Sequence, residues 1–329
     1  MTTDDTDDGG GDQAFRRTPP APGRWAEMTY GGALSFLRRP YSRDAAAADV
    51  VVAGMPYDGA TTFRPGARLG PRAIRAASAS LAELAAFPFG FDPFDTLSVI
   101  DWGDCFLDPH HPGSIPGAIA DHARHVLATG AKLLTLGGDH FVTWPLLKAH
   151  AERHGPLALV QFDAHADVWE DDGGRFDHGT MMLRALREGL VDPARSVQVG
   201  VRTHGASDYG VDVLTAPWLR RNGPEAALDV IRRRVRDAPA YVSFDIDCLD
   251  PAFAPGTGTP VAGGPSSAEA LALVRGLVDL NIKGMDVMEV SPPYDHAEVT
   301  ALAAATVAHD LLCVLARQSG AEGRSPGRL

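Results

Sequence analysis

The sequence predicts an α/β protein, a three-layer α/β/α domain around a mainly parallel sheet, and three observations predict it. Short β-rich runs alternate with helical patterns along the chain. Most of those runs are apolar on both faces, as strands are when helices cover them on two sides. No internal repeat or interior linker divides the 329 residues, so a single domain is the simpler reading.

In chain order, residues 1–22 read as a disordered acidic arm. Asp4, Asp5, Asp7, Asp8 and Asp12 lie among Thr and Gly there, a composition that cannot bury enough apolar surface to order itself. The domain is expected over 23–318, with a flexible Gly/Pro-bearing tail at 319–329. Strands are expected at 49–54, 97–101, 132–136, 157–162, 196–201, 240–245 and 283–290, with a weaker one at 211–214. Helical patterns fall at about 71–86, 114–129, 143–154, 179–189, 225–237, 266–280 and 298–317. Pro71 suits the first turn of its helix, where a missing N–H costs nothing. Ser266 and Ser267, ahead of Ala268 and Glu269, form an N-cap signal.

With 45% hydrophobic and 22% charged residues, the chain has the composition of a soluble globular protein. A formal charge of -12 without a basic stripe argues against nucleic acid as partner and suits a cationic ligand. No uninterrupted apolar run is long enough for a bilayer, and the N-terminus lacks a basic-then-apolar signal, so no membrane partner and a cytoplasmic location are expected. Cys105, Cys248 and Cys313, odd in number and widely spaced, fit reduced thiols.

The chemistry concentrates at three expected strand ends: Gly137-Gly138-Asp139-His140; Asp163-Ala164-His165-Ala166-Asp167; and Asp245-Ile246-Asp247. If the backbone stays extended, Asp163, His165 and Asp167 share one face, and so do Asp245 and Asp247. In open α/β sheets ligands bind beyond the carboxyl ends of strands. Two carboxylates about 4 Å apart repel by roughly 4 kcal/mol at an effective dielectric near 20. Four in one pocket therefore call for cations, and carboxylates with imidazoles and no thiolate suit Mn2+ better than structural zinc. A lone DxHxD reads equally as a strand ending in a polar turn; three such segments do not. His178 sits in a long loop after the fourth run, and Glu289 ends the last one. His150 and His154 have the spacing of a metal pair but lack a third ligand and are read as sitting on a polar face.

The segments GGDH, DAHAD and SFDIDCLDPAFAPGTGTP, in that order, resemble the ureohydrolases, the family of arginase and agmatinase, over about 50–315. Phe176-Asp177-His178-Gly179-Thr180-Met181 and the segment 286–295 are most similar to bacterial-type agmatinases. The resemblance implies an arginase-like fold with an eight-stranded sheet and two Mn2+ per subunit. It makes His140, Asp163, Asp167 and Asp245 ligands of one ion, and Asp163, His165, Asp245 and Asp247 ligands of the other. A metal-bridging hydroxide would attack the guanidinium carbon, His178 would handle protons and Glu289 would orient the guanidinium. It also implies hydrolysis of agmatine to urea and putrescine, and trimers or hexamers.

The distal specificity is read from Glu170, Asp171 and Asp172, whose acidity favours agmatine's ammonium over a carboxylate. Another guanidino compound, 4-guanidinobutyrate or 3-guanidinopropionate among them, is the runner-up. A deacetylase-like hydrolase and a non-catalytic metal-stabilised protein complete the alternatives. The segment 61–68, with Arg64 and Arg68, is read either as a border of the site or as subunit contact surface.

Overall fold

A computed structural model describes residues 13–15, 28–82, 85–170, 174–205 and 207–323. Eight strands form one sheet: β1 (Val50–Met55), β2 (Val99–Asp104), β3 (Lys132–Gly137), β4 (Ala158–Phe162), β5 (Val197–Val199), β6 (Asp212–Leu214), β7 (Ala240–Asp245) and β8 (Ile282–Met288). Their order is β2-β1-β3-β8-β7-β4-β5-β6, and every neighbouring pair is parallel. The helices are α1 (Gly70–Ser78), α2 (Ile115–Ala128), α3 (Thr143–His154), α4 (Met181–Arg187), α5 (Ala216–Val235), α6 (Ser267–Arg275) and α7 (Val299–Gln318).

Alternation along each strand explains why the runs are apolar on both faces. Val50 and Val52, Leu134 and Leu136, Val160 and Phe162, and Val242 and Phe244 point into one core, with α1, α5, α6 and α7. Val51 and Ala53, Leu133, Leu159 and Tyr241 point into the other, with α2, α3 and α4. Each fully buried Val, Leu or Phe contributes about 1.5–3 kcal/mol relative to exposure, so each strand is held from both sides.

The capping chemistry is local. Ser266 accepts from Glu269 N–H and the Glu269 carboxylate accepts from Ser266 N–H, a complete capping box that starts α6. The α5 start differs from the expected 225. The side chain of Thr215 accepts from Trp218 N–H and begins a helical stretch at Ala216. Gly223 then leaves helical geometry (φ 81°, ψ 168°) ahead of Pro224, whose ring disfavours the α region in the preceding residue. Only the second stretch matches the expected helix.

Two further expectations need correction. Over α7 the chain is long and apolar enough to cross a bilayer by composition, but 78% of that window is buried inside the domain, where it covers one sheet face. Most of the acidic arm (1–12 and 16–22) lies outside the described residues. Residues 13–15 form a short turn whose Ala14 is buried and whose carbonyl accepts from Tyr41 N–H at 2.6 Å. In the tail Ala321 is buried, and residues 324–329 lie outside the description.

Candidate active site

The four central strands, β3, β8, β7 and β4, are neighbours in the sheet although distant in sequence. Their carboxyl ends deliver His140, Glu289, Asp245 with Asp247, and Asp163 with His165 and Asp167, respectively. Gly138 makes the crowding possible, since an added Cβ would fall on the Tyr57 carbonyl oxygen after β1.

The carboxylates do not converge by strand alternation. The chain leaves β4 after Phe162, and Asp167 takes a left-handed conformation (φ 52°) in the loop. Asp163 Oδ1 accepts from His165 N–H at 2.6 Å and its Oδ2 from the Gln161 amide at 2.7 Å. Gln198 on β5 supports Gln161 Oε1 and the Ala166 carbonyl, at 2.9 and 2.7 Å. Asp245 ends β7 and caps the turn Ile246–Cys248, accepting from Asp247 N–H at 2.8 Å.

Around His140 Nδ1, Asp163 Oδ2 lies at 3.0 Å, and Asp167 Oδ2 and Asp245 Oδ2 each lie at 3.1 Å. The other nitrogen, Nε2, is 2.8 Å from Ser243 Oγ, which itself donates to Asp286 Oδ1 at 2.7 Å. A hydroxyl that gives its hydrogen to Asp286 accepts from Nε2–H, so in the neutral ring Nδ1 carries a lone pair. That lone pair faces three carboxylate oxygens, and Nδ1 is buried without a hydrogen-bond partner among the described residues. A cation between them is what this arrangement fits. A second group adjoins it: His165 Nδ1 is 3.0 Å from Asp247 Oδ2 and 3.4 Å from Asp163 Oδ1. His140, Asp163 and Asp167 form one set with metal-ligand spacing, and Asp163, His165 and Asp247 the other.

Proton affinities reflect the same crowding. Burial and the charges of Asp247 and Asp163 push Asp245 well above the usual carboxylate range, and burial with Asp163 pushes Asp167 up to about 6. Burial disfavours the charged forms of His140 and His165. The carboxylates around them outweigh it, raising His140 well above its ordinary value and His165 to about 12. Those imidazoles in turn hold Asp163 below the usual range despite its burial. Without cations, protons must stand in for the missing positive charge.

His178 begins the turn before α4, where Asp177 Oδ1 accepts from Gly179 N–H at 3.0 Å. Its Nδ1 lies 2.7 Å from Glu289 Oε1, and Glu289 raises its pKa to about 9 against the opposing effect of burial. Glu289 is left-handed (φ 66°), and its Oε1 also accepts from His140 N–H at 2.8 Å. No arginine pairs with it among the described residues; its Oε2 is buried without a hydrogen-bond partner. A Cβ at Gly258 would stand 3.2 Å from that oxygen, so the glycine keeps the approach open.

Several neighbouring residues take other roles. Asp139 turns aside and accepts from Ala60 N–H at 2.7 Å. Arg68 pairs with Asp58, and Arg64 stacks on Phe63 and Tyr294. Thr62, Trp169 and Thr259 line the same cavity as His165, Asp167, His178 and Asp245, and the sequence carried no spacing signal for them. Glu170 turns to Arg187 at 2.6 Å, so it lends no support to an acidic mouth; Asp171 and Asp172 lie outside the described residues. His150 is not on a polar face: it is buried, with Nδ1 bonded to the Leu146 carbonyl and its ring edge-on to Tyr241.

The arginase family model matches residues 48–313, most of the chain. The chain belongs to the arginase family. It is 57% identical over 307 residues to an agmatinase of Chromobacterium violaceum, covering 93% of this chain and 95% of that protein. Among solved structures it is similar to a hypothetical agmatinase from Burkholderia thailandensis, with a TM-score of 0.91 and 57% identity over 94% of this chain and 99% of that one. Proclavaminate amidinohydrolase from Streptomyces clavuligerus aligns with a TM-score of 0.85 and 43% identity, covering 89% and 100%. The family is metal-dependent, and this member has the carboxylate and imidazole groups for metal at the sheet's carboxyl edge.

Proposed function

We propose that this chain is an agmatinase, hydrolysing the guanidinium group of agmatine to urea and putrescine. The observation that carries the reading is a buried, unpaired Glu289 oxygen beside two metal-ligand sets, in a chain 57% identical to an agmatinase. His140, Asp163, Asp167 and Asp245 would hold one divalent ion, and Asp163, His165, Asp245 and Asp247 the other. Mn2+ suits this oxygen-rich, thiolate-free set. When bound, two such ions supply an acidified water able to attack at neutral pH.

The rest falls to the chain. Glu289 Oε2 can take one guanidinium N–H and hold the planar group over the ligand cluster, where orientation converts binding into rate. As the C–N bond breaks, its electron pair goes to the departing nitrogen, and His178 gives that nitrogen a proton. Glu289, 2.7 Å from Nδ1, favours the charged ring, which is the form that can donate. We further propose a cytoplasmic enzyme assembled as a trimer or hexamer, without nucleic-acid or membrane partners. The reduced-thiol pattern fits a cytoplasmic location, and family resemblance supports the assembly.

Urea release by Mn2+-loaded protein from agmatine, arginine, 4-guanidinobutyrate and 3-guanidinopropionate tests the reading, with Asp163→Ala as control. Agmatine is expected to lead and the control to be inactive. A lead by either guanidino acid would move the assignment to the runner-up, and urea from none of the four would overturn it.

A further inference from the structure

We propose that Thr62 is a positioning residue for His178: its hydroxyl stays bonded to the histidine Nε2 before and after proton transfer, and so keeps the ring aimed at the leaving amine. The inference rests on His178 acting as the proton donor of the preceding reading. Thr62 Oγ1 lies 2.8 Å from His178 Nε2 and Thr62 N lies 3.3 Å from the same atom. The opposite ring nitrogen, Nδ1, faces Glu289 Oε1 at 2.7 Å. The imidazole is thus gripped at both edges by residues that are 116 and 111 positions away in the chain.

The two grips differ in chemistry, and the difference gives Thr62 its role. A carboxylate only accepts, so the Glu289 contact keeps a hydrogen on Nδ1 in both states of the ring. A backbone N–H only donates, so the Thr62 amide can serve Nε2 only while that nitrogen carries its lone pair. A hydroxyl does both. It donates to Nε2 when the ring is neutral and rotates to accept from Nε2–H when the ring is charged. During turnover the one hydrogen on Nε2, shared between the Thr62 hydroxyl and the departing amine, passes to the amine, and one returns from solvent to restore the donor. Through that cycle the Thr62 hydroxyl is the contact at this edge that need not break. Without it the charged ring, which the Thr62 amide cannot serve, is anchored at Nδ1 alone.

The position of Thr62 does not depend on the histidine side chain. Its loop follows β1 and is pinned by two buried carboxylates. Asp139 Oδ2 accepts from Ala60 N–H at 2.7 Å, and Asp58 Oδ2 accepts from Gly66 N–H at 2.8 Å while pairing with Arg68. The loop also accepts from the histidine's own backbone, His178 N–H to the Ala60 carbonyl at 3.1 Å. Thr62 is exposed and lines the cavity that holds Asp167 and Asp245.

A double-mutant cycle on the Mn2+-loaded enzyme separates positioning from general support of the fold. The variants are Thr62→Val, Thr62→Ser, His178→Asn and Thr62→Val with His178→Asn. Urea release is followed as kcat and KM, with metal content and Tm measured for each. Thr62→Val is expected to lower kcat about 10- to 100-fold, part of the 10²- to 10⁴-fold typical of a positioned acid or base, with KM within about twofold. Thr62→Ser is expected to recover kcat to within about threefold. In the His178→Asn background, Thr62→Val should cost less than about twofold more. The same loss with and without His178 would overturn the proposal, as would a fully active Thr62→Val enzyme or a Ser variant no better than Val. Should Val disturb metal content or Tm, Thr62→Ala replaces it in the cycle. Wild-type enzyme that prefers another guanidino compound has the cycle measured on that compound; wild-type enzyme releasing no urea from any substrate overturns the functional reading and this inference with it.

Discussion

Two regions of this protein bury acidic side chains, and they do so in opposite ways. On β2, Asp101 is fully buried, but Arg75 from α1 grips it with two nitrogens, at 2.8 and 3.0 Å, and reaches Asp104 at 2.6 Å. The remaining capacity of Asp101 is filled by Phe36 N–H and Gly103 N–H. Despite the cost of burial, Asp101 raises the Arg75 pKa above its ordinary value, so the guanidinium stays charged. At the ends of β4 and β7, Asp163, Asp167, Asp245 and Asp247 have no arginine or lysine within ion-pair distance among the described residues, and they crowd two imidazoles instead. A buried carboxylate with a fixed cation and full hydrogen bonding is part of the scaffold. A set of buried carboxylates without one is built for a charge that arrives from outside.

A third cluster obeys the same rule. His309, Asp310 and Cys313 on α7 lie close enough together to resemble a metal site. Arg275 already holds Asp310 at 2.6 Å, and the charges of Arg39 and Arg275 add to burial in pressing the His309 pKa down to about 4. This is a satisfied structural cluster, and its composition alone would mislead.

The contrast is broken most directly at Asp245. Asp245→Asn is expected to lower urea release by about 10³-fold or more, the equivalent of several kcal/mol of metal assistance. The metal-free variant should nevertheless be at least as stable as metal-free wild type, because it removes a charge that the site disfavours; a lower Tm would contradict the idea of an unmatched cluster. Asp101→Asn should behave the other way, costing up to about 3–5 kcal/mol in denaturant unfolding by leaving the buried Arg75 with only the partly exposed Asp104 as a charged partner. The molecules that remain folded should keep wild-type kcat.

A smaller effect concerns pH. The folded-state pKa of His178, about 9, stands above the ordinary histidine value of 6.5. Its contribution to stability is therefore fully present below about pH 6.5 and lost as pH rises towards 9. In chelator-treated protein, the stability gap between wild type and His178→Asn should shrink across that window. A gap that is flat or widens with pH would show that the Glu289 contact does not favour the charged ring.

Much of the architecture was legible because strand and helix signals are local. The alternation of apolar runs and helical patterns located the strands within a few residues, and the N-cap signal at Ser266 and Ser267 was visible in the letters. The expected position of α5 was poor because Thr215 and Pro217 begin a first stretch that Gly223 and Pro224 then interrupt. The acidic and imidazole side chains of DAHAD and SFDID could be chosen from their chemistry, yet the reason first offered for their convergence, strand alternation, does not hold. Asp167 reaches His140 through a left-handed loop residue, and such a conformation has no letter code when the residue is not glycine.

What the sequence determined by itself, then, is the inventory: which side chains can hold divalent ions, which strand ends carry them, and that four carboxylates gathered together would need cations. The tertiary structure alone decided their neighbours. It placed β3, β8, β7 and β4 side by side, set Thr62 and Glu289 on opposite edges of His178, turned Glu170 away to Arg187, and matched Asp101 with Arg75 while leaving the site carboxylates without an arginine or lysine among the described residues. The physical reason is that these pairings join residues far apart in the chain. Strand order and loop packing are settled by the burial of two whole cores against the sheet, a sum over many contacts that no short segment contains.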